Sequence, residues 1–175
     1  MLLAPVVPVA LNKLRLTLLA LALWLPLTAG QAQTGAPIQW ADVQLIDGRT
    51  LSASALRDKV VVVEFWASWC PFCARQNPHL QRLHERHGRE LQVLTFSIDA
   101  KVDDARQYLK QHRYTFPTAM AGAQSAAWFP RSKGLPVVYV VDRSGRIVFH
   151  AAGELFEEDI AALARFAAPP PKAKP

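Results

Sequence analysis

The stretch EFWASWCPFCARQ, residues 64–76, holds both cysteines of the 175-residue chain, Cys70 and Cys73. Only Pro71 and Phe72 lie between them. A pair at this spacing could staple the fold, hold a metal, or form a redox couple. A staple gains stability mainly by closing a long loop in the unfolded chain, and this one closes almost none. A zinc site could draw on His84 and His87, but ten residues separate the pairs and two separate the histidines. Zinc sites of that type use about twelve and three to five. Covalent haem attachment needs a histidine directly after the second cysteine, and Ala74 stands there.

Redox chemistry fits the neighbours. VVVVEF, residues 60–65, has five apolar residues of six and four that are β-branched, the composition of a strand covered on both faces. Cys70 then falls at the start of a helix, with Pro71 in the first-turn position proline favours. Unpaired backbone N–H groups and the positive end of the helix dipole stabilise a thiolate there, which marks Cys70 as the nucleophile. Cys73, one turn further in, would resolve a mixed disulfide from within the same molecule. No cofactor is needed beyond the cysteine couple itself.

Outward from this centre, Asp47-Gly48 between two short apolar runs signals a β-hairpin. Residues 54–59 read as a helical turn leading into the first buried strand. Leu80, Leu83 and His87 continue a helix that Gly88 would cap, and LQVLTFSI (91–98) is a second buried strand. Residues 103–112 read as a helix, TFPTAMAG (115–122) as irregular, and 124–129 as a short helix. VVYVV (137–141) and RIVFHA (146–151) pair across a tight turn, and 155–166 has the period of a closing amphipathic helix. Strands alternating with helices imply a parallel core, and the last hairpin must be antiparallel. The expected fold class is α/β: a mixed central sheet flanked by helices, with an N-terminal β-hairpin extension.

The N-terminus is a separate unit. Lys13 and Arg15 precede a twelve-residue apolar run, residues 16–27, and then the small and polar residues TAGQAQTG. This is the order of a secretory signal, with cleavage expected after Ala32 and an uncleaved anchor as the rival. The run is shorter than the roughly 20 residues a spanning helix requires. The organisation read from sequence is therefore signal or anchor (1–32), a single α/β domain (38–168) and a disordered proline-rich tail (169–175). Such a protein is expected to work outside the cytoplasm, in the periplasm or an equivalent space, where disulfides persist, tethered to the inner membrane by its N-terminus if the segment is an uncleaved anchor. Without the first 32 residues the chain keeps 18 basic and 14 acidic residues, spread without a dense basic run, which argues against nucleic-acid binding.

VVVEFWASWCPFCARQNPHL resembles the strand–WCxxC–helix signature of thioredoxin-fold proteins. The signal-like start, the leading hairpin, residues 99–133 and the final hairpin together resemble the TlpA/ResA/DsbE branch of exported thiol-disulfide oxidoreductases. The resemblance spans residues 38–166 and implies that the α/β domain (38–168) has a thioredoxin-like fold. It implies that Cys70 attacks and Cys73 resolves. It also implies that Pro136, in Gly134-Leu135-Pro136, follows a cis peptide bond and sits against the cysteines. Glu64 departs from the pattern: thioredoxins carry a buried aspartate there and many TlpA-like proteins an asparagine. A buried acid should have a raised pKa and could accept the Cys73 proton; the alternative is that it reaches solvent or pairs with Lys59. Trp69, Phe72 and Leu135 would offer an apolar docking surface, with Trp66 in the core. Trp128 and Phe129 either pack on the closing helix or border the same groove.

The resemblance further implies exported protein substrates carrying thiols or disulfides, a membrane electron donor, and a reductant role such as cytochrome c maturation. Alternatives are a disulfide oxidase or isomerase, or a copper-binding or metal-stress thiol protein of the same fold. His150 is the one residue that could be offered as a downstream copper ligand. The direction of electron flow stays open.

Overall fold

The computed structural model describes residues 36–168. The expected signal segment (1–32) and proline-rich tail (169–175) lie outside the described residues. Val60 to Val63 expose no surface at all, and they begin β3 (Val60–Trp66), the central strand of a five-stranded sheet. Before it come β1 (Val43–Gln44) and β2 (Thr50–Leu51), which pair antiparallel as a separate small sheet, and the single turn α1 (Ala53–Leu56). After it come α2 (Pro71–His87), β4 (Leu91–Ser97), α3 (Val102–His112), β5 (Thr118–Met120) and α4 (Ala123–Trp128). The chain then forms β6 (Val137–Val141), β7 (Ile147–Ala152) and α5 (Glu157–Ala162), which tightens into a 3₁₀ turn over Leu163–Ala167.

The sheet order is β5-β4-β3-β6-β7. β3 runs parallel to β4, with Val60 opposite Leu91, and β4 runs parallel to β5. β6 is antiparallel to both β3 and β7, so the mixed sheet expected from sequence is present. Alternate residues of β3 feed two cores. Val61 and Val63 pack with Leu56, Leu94, Phe96 and Tyr139 on one face. Val60 and Val62 pack with Leu80 and Leu83 of α2 and Ile160 and Leu163 of the closing segment on the other. A third cluster joins Trp66, Ala67, Cys70 and Cys73 to Ala105 and Tyr108 of α3, which places the cysteines where the two layers meet.

Two sequence expectations need correction. TFPTAMAG is not wholly irregular: Thr118 to Met120 form the edge strand β5, ordered by parallel pairing of Thr95 with Thr118 rather than by any local period. The closing helix begins at Glu157 rather than 155, because the Leu155 backbone N–H donates 2.6 Å to Gln76 Oε1 across the fold. Gly88 is the C-cap of α2, as expected, with right-handed φ −61°. Trp128 and Phe129 pack on the face opposite the closing helix, Trp128 edge-on against Trp40 at 5.0 Å and Phe129 against Tyr139 at 5.0 Å.

Candidate active site

Cys70 and Cys73 are joined as a disulfide, their Cα atoms 5.3 Å apart. The local chemistry explains the placement. Cys70 is the N-cap of α2, in extended backbone with φ −86° and ψ 112°, and Pro71 takes the first turn, where a missing N–H costs nothing. The Cys70 sulfur accepts from the Cys73 backbone N–H at 3.1 Å, so one otherwise orphaned helix donor already points at it. Cys70 is 4% exposed and Cys73 is fully buried. Cys70 itself is thus nearly buried, and the exposure belongs to its neighbours, Trp69 at 66% and Phe72 at 49%.

The WASW approach to the cysteines is clamped from behind. Asp99, buried in the loop after β4, accepts from the Ser68 backbone N–H at 3.1 Å, from Ser68 Oγ at 2.7 Å and from Ser97 Oγ at 2.6 Å. Trp66 is fully buried, and its Nε1 donates to Thr95 Oγ1 at 3.1 Å. Asp99→Ala strands several donors that water reaches poorly, each at a cost of about 1–3 kcal/mol. The expected result is a loss of at least about 2 kcal/mol in denaturant unfolding of the oxidised protein. A variant as stable as wild type would show the clamp to be dispensable.

Glu64 lies on β3 between Thr95 of β4 and Val138 of β6, with no exposed surface. Burial pushes its carboxyl up to about 8, while a hydrogen bond from Gln76 works the other way. Gln76 Nε2 donates to Glu64 Oε1 at 2.7 Å, and Oε2 has no partner. The alternatives of solvent exposure and a Lys59 pair are thus set aside.

Pro136 follows a cis Leu135–Pro136 peptide, preceded by Gly134 at φ +82°, a left-handed conformation that glycine adopts without strain. Leu135 packs on the cluster that contains both cysteines. The Pro136 carbonyl accepts from the Gly153 N–H at 2.9 Å, which ties this segment to the loop after β7. Beside the disulfide opens a groove of about 930 Å³, lined among others by Trp69, Phe72, Ile98, Phe129, Leu135 and Tyr139. Phe129 therefore borders the groove, while His150 stacks on Tyr139 at 4.7 Å and meets Ser132 Oγ at 3.2 Å.

The structure brings Cys70, Trp69, Phe72 and Leu135 to one groove, while Cys73, bonded to Cys70, and Glu64 on β3 are both buried. Sequence reading missed Asp99, Gln76, Asn77 and Arg75. The signal for Gln76 and Asn77 was present, since Cys73, Gln76, Asn77 and Leu80 share one helical stripe and all four are buried. Arg75 carries no such mark. Its guanidinium pairs with Glu154 through both nitrogens, at 2.8 and 2.5 Å, and lies 4.7 Å from the Phe72 ring centroid.

A mixed sheet with a CxxC disulfide heading a helix and a cis-proline segment alongside it defines the class: thiol-disulfide oxidoreductases of the thioredoxin superfamily. Residues 34–150 match the AhpC/TSA family, and the chain belongs to that family. It is 25% identical over 117 residues to thiol-disulfide oxidoreductase ResA of Bacillus thuringiensis (strain Al Hakam), covering 66% of this chain and 67% of that protein. It is 32% identical over 105 residues to the thiol:disulfide interchange protein DsbE homolog of Paracoccus denitrificans, covering 57% and 54%. A crystal structure of a thioredoxin-family thiol:disulfide interchange protein from Chlorobium tepidum superimposes with a TM-score of 0.69 at 21% identity, over 78% of this chain and 98% of that one.

Proposed function

We propose that this protein is an exported reductant of protein disulfides, cycling between a Cys70–Cys73 disulfide and a dithiol. The observation that carries the reading is the disulfide at the start of α2, with Cys70 lining an apolar groove and a buried carboxyl on β3 hydrogen-bonded to Gln76 of the same helix. In the reduced form the Cys70 thiolate, stabilised by the helix N-terminus, attacks one sulfur of a substrate disulfide. A Cys70–substrate mixed disulfide forms and one substrate thiolate leaves. Cys73 then passes its proton to ionised Glu64 and attacks the Cys70 sulfur. The second substrate thiolate departs, the Cys70–Cys73 bond closes, and two electrons have moved to the substrate. A carboxyl that titrates near 8 is matched to a thiol, which is the condition for efficient general base catalysis at neutral pH. Run in reverse, the neutral acid returns that proton to Cys73 when a donor reduces the disulfide.

Trp69, Phe72 and Leu135 form the surface on which the substrate chain lies, and Pro136 holds the backbone against which an extended segment pairs. The signal-like N-terminus supports a position outside the cytoplasm, fed by a membrane electron donor. Cysteines awaiting haem attachment in cytochrome c maturation are the specific substrates we favour, in keeping with the similarity to a DsbE homolog. The test is the reduction potential of the couple, equilibrated against glutathione or a dithiol buffer. The expected value lies below about −200 mV, and one near −120 mV, the range of a strong disulfide oxidant, overturns the reductant direction. An insulin-reduction assay tests the activity itself: turnover is expected, and its absence overturns the enzymatic reading.

A further inference from the structure

Gln76 makes two hydrogen bonds whose directions are not interchangeable. Its Oε1 faces the Leu155 backbone N–H at 2.6 Å, and that N–H can only donate. The amide is therefore fixed with its oxygen toward Leu155 and its NH₂ toward Glu64, 2.7 Å from Oε1. An NH₂ group can only donate, so Glu64 Oε1 must accept whether or not the carboxyl is ionised. The carbonyl oxygen of a neutral carboxyl is the stronger acceptor, so this bond favours a proton on Oε2, the oxygen that has no partner. Gln76 itself is fully buried, and it lies one helical turn beyond Cys73 on the same buried stripe.

We propose that Gln76 is the positioning residue of the Glu64 acid–base step: anchored by the Leu155 N–H, it reserves Oε1 as an acceptor and leaves Oε2 as the oxygen that takes and gives the proton. The inference rests on the proton-acceptor role given to Glu64 above. It adds that the loop after β7 participates in the chemistry, because that loop holds the amide in its one productive orientation. The same loop is fastened to α2 a second time by the Arg75–Glu154 pair, so the anchor does not depend on a single bond. Titratable groups near Glu64 are Cys73 on the shared stripe of α2, with Tyr108 and Tyr114 from α3 and the turn after it. Both tyrosines are held neutral well above the range at issue by burial. The neighbouring strands present Thr95 and Val138, which do not titrate in this range.

Two variants of the full oxidised protein test this, read by infrared titration of the neutral carboxyl band that disappears in Glu64→Gln. Gln76→Met keeps the volume but removes both the donor and the acceptor. Losing a hydrogen bond to the charged form should move the Glu64 midpoint upward by about one to two pH units, and the pH–rate profile for disulfide exchange should move with it. Gln76→Glu is a conditional mimic. While neutral it can still accept from Leu155 and donate to Glu64; once ionised it can only accept. It should exchange like wild type at low pH and fall away as the new carboxyl ionises, giving two coupled titrations. An unshifted midpoint in Gln76→Met, or in a Gln76→Met that does not fold, a Gln76→Glu profile parallel to wild type, overturns the assignment. The catalytic reading of Glu64 fails on a different result: a Glu64→Gln variant with the wild-type pH–rate profile, whatever Gln76 does.

Discussion

Cys73→Ser will turn the protein from a catalyst into a trap, while Cys70→Ser will do neither. The asymmetry follows from position. Cys70 caps the helix at the edge of the groove, whereas Cys73 has no exposed surface and is reached only through Cys70. With Cys73 replaced, the first exchange still occurs, but the resolving attack must come from a thiol in solution. Effective molarities of well-oriented intramolecular groups reach about 10⁵ M and above, so against millimolar thiol in solution steady-state turnover should fall by at least about 10³-fold. Mixed disulfides between Cys70 and substrate should then accumulate. Mass spectrometry of the trapped species after incubation with a disulfide-bonded protein checks this directly. The roles assigned here are reversed if Cys70→Ser forms the adducts through Cys73 while Cys73→Ser does not. A second consequence concerns the Trp69 and Phe72 side chains, which are exposed without being needed for packing. Their replacement by alanine should raise KM for a protein substrate while leaving exchange with a small disulfide nearly unaffected.

The parts of the fold legible in the sequence are those written as local patterns. Four consecutive valines declare a strand buried on both faces, and the Cys-Pro-x-Cys order declares a helix start, because each pattern has its physical cause within a few residues. β5 was not legible: three residues after Pro117 become a strand only because β4 offers them a parallel partner. The start of α5 escaped for the same reason, since Leu155 is drawn away by a side chain 79 positions earlier in the chain. At the site, the cysteines and Glu64 stood out as residues whose chemistry is conspicuous in an apolar setting. Asp99 did not, because a single acid after a strand looks like any solvated loop residue until Ser68 is seen against it. Gln76 is intermediate: its place on the buried stripe could be read from helical spacing, but its meaning depends on which atom faces Leu155.

Glu64→Gln will abolish the pH dependence of stability contributed by this site. In the unfolded chain the carboxyl titrates in its ordinary range near 4.5, and in the folded protein near 8. Between those values the native state holds a proton that the unfolded state has released, so unfolding releases a proton and stability falls as pH rises. The decline begins near pH 4.5, is complete near pH 8, and flattens above it, where the group is ionised in both states. At 1.36 kcal/mol per unit of pKa difference, the whole descent is at most about 5 kcal/mol. Glutamine has no charge to lose. It can accept from Gln76 through the same oxygen, but its NH₂ then takes the place of an oxygen that has no partner, an uncompensated burial of about 1–3 kcal/mol. The variant should therefore be no more stable than wild type at pH 5 and clearly more stable at pH 9, the two curves crossing between. Urea unfolding of the oxidised proteins at pH 5, 7 and 9 measures this, and a wild-type-minus-variant difference that does not change with pH excludes a buried, titrating Glu64. The catalytic effect should run the opposite way. Removing the proton acceptor should slow resolution by Cys73 by roughly 10²-fold or more, most visibly above pH 8, where wild-type Glu64 is ionised and ready to accept.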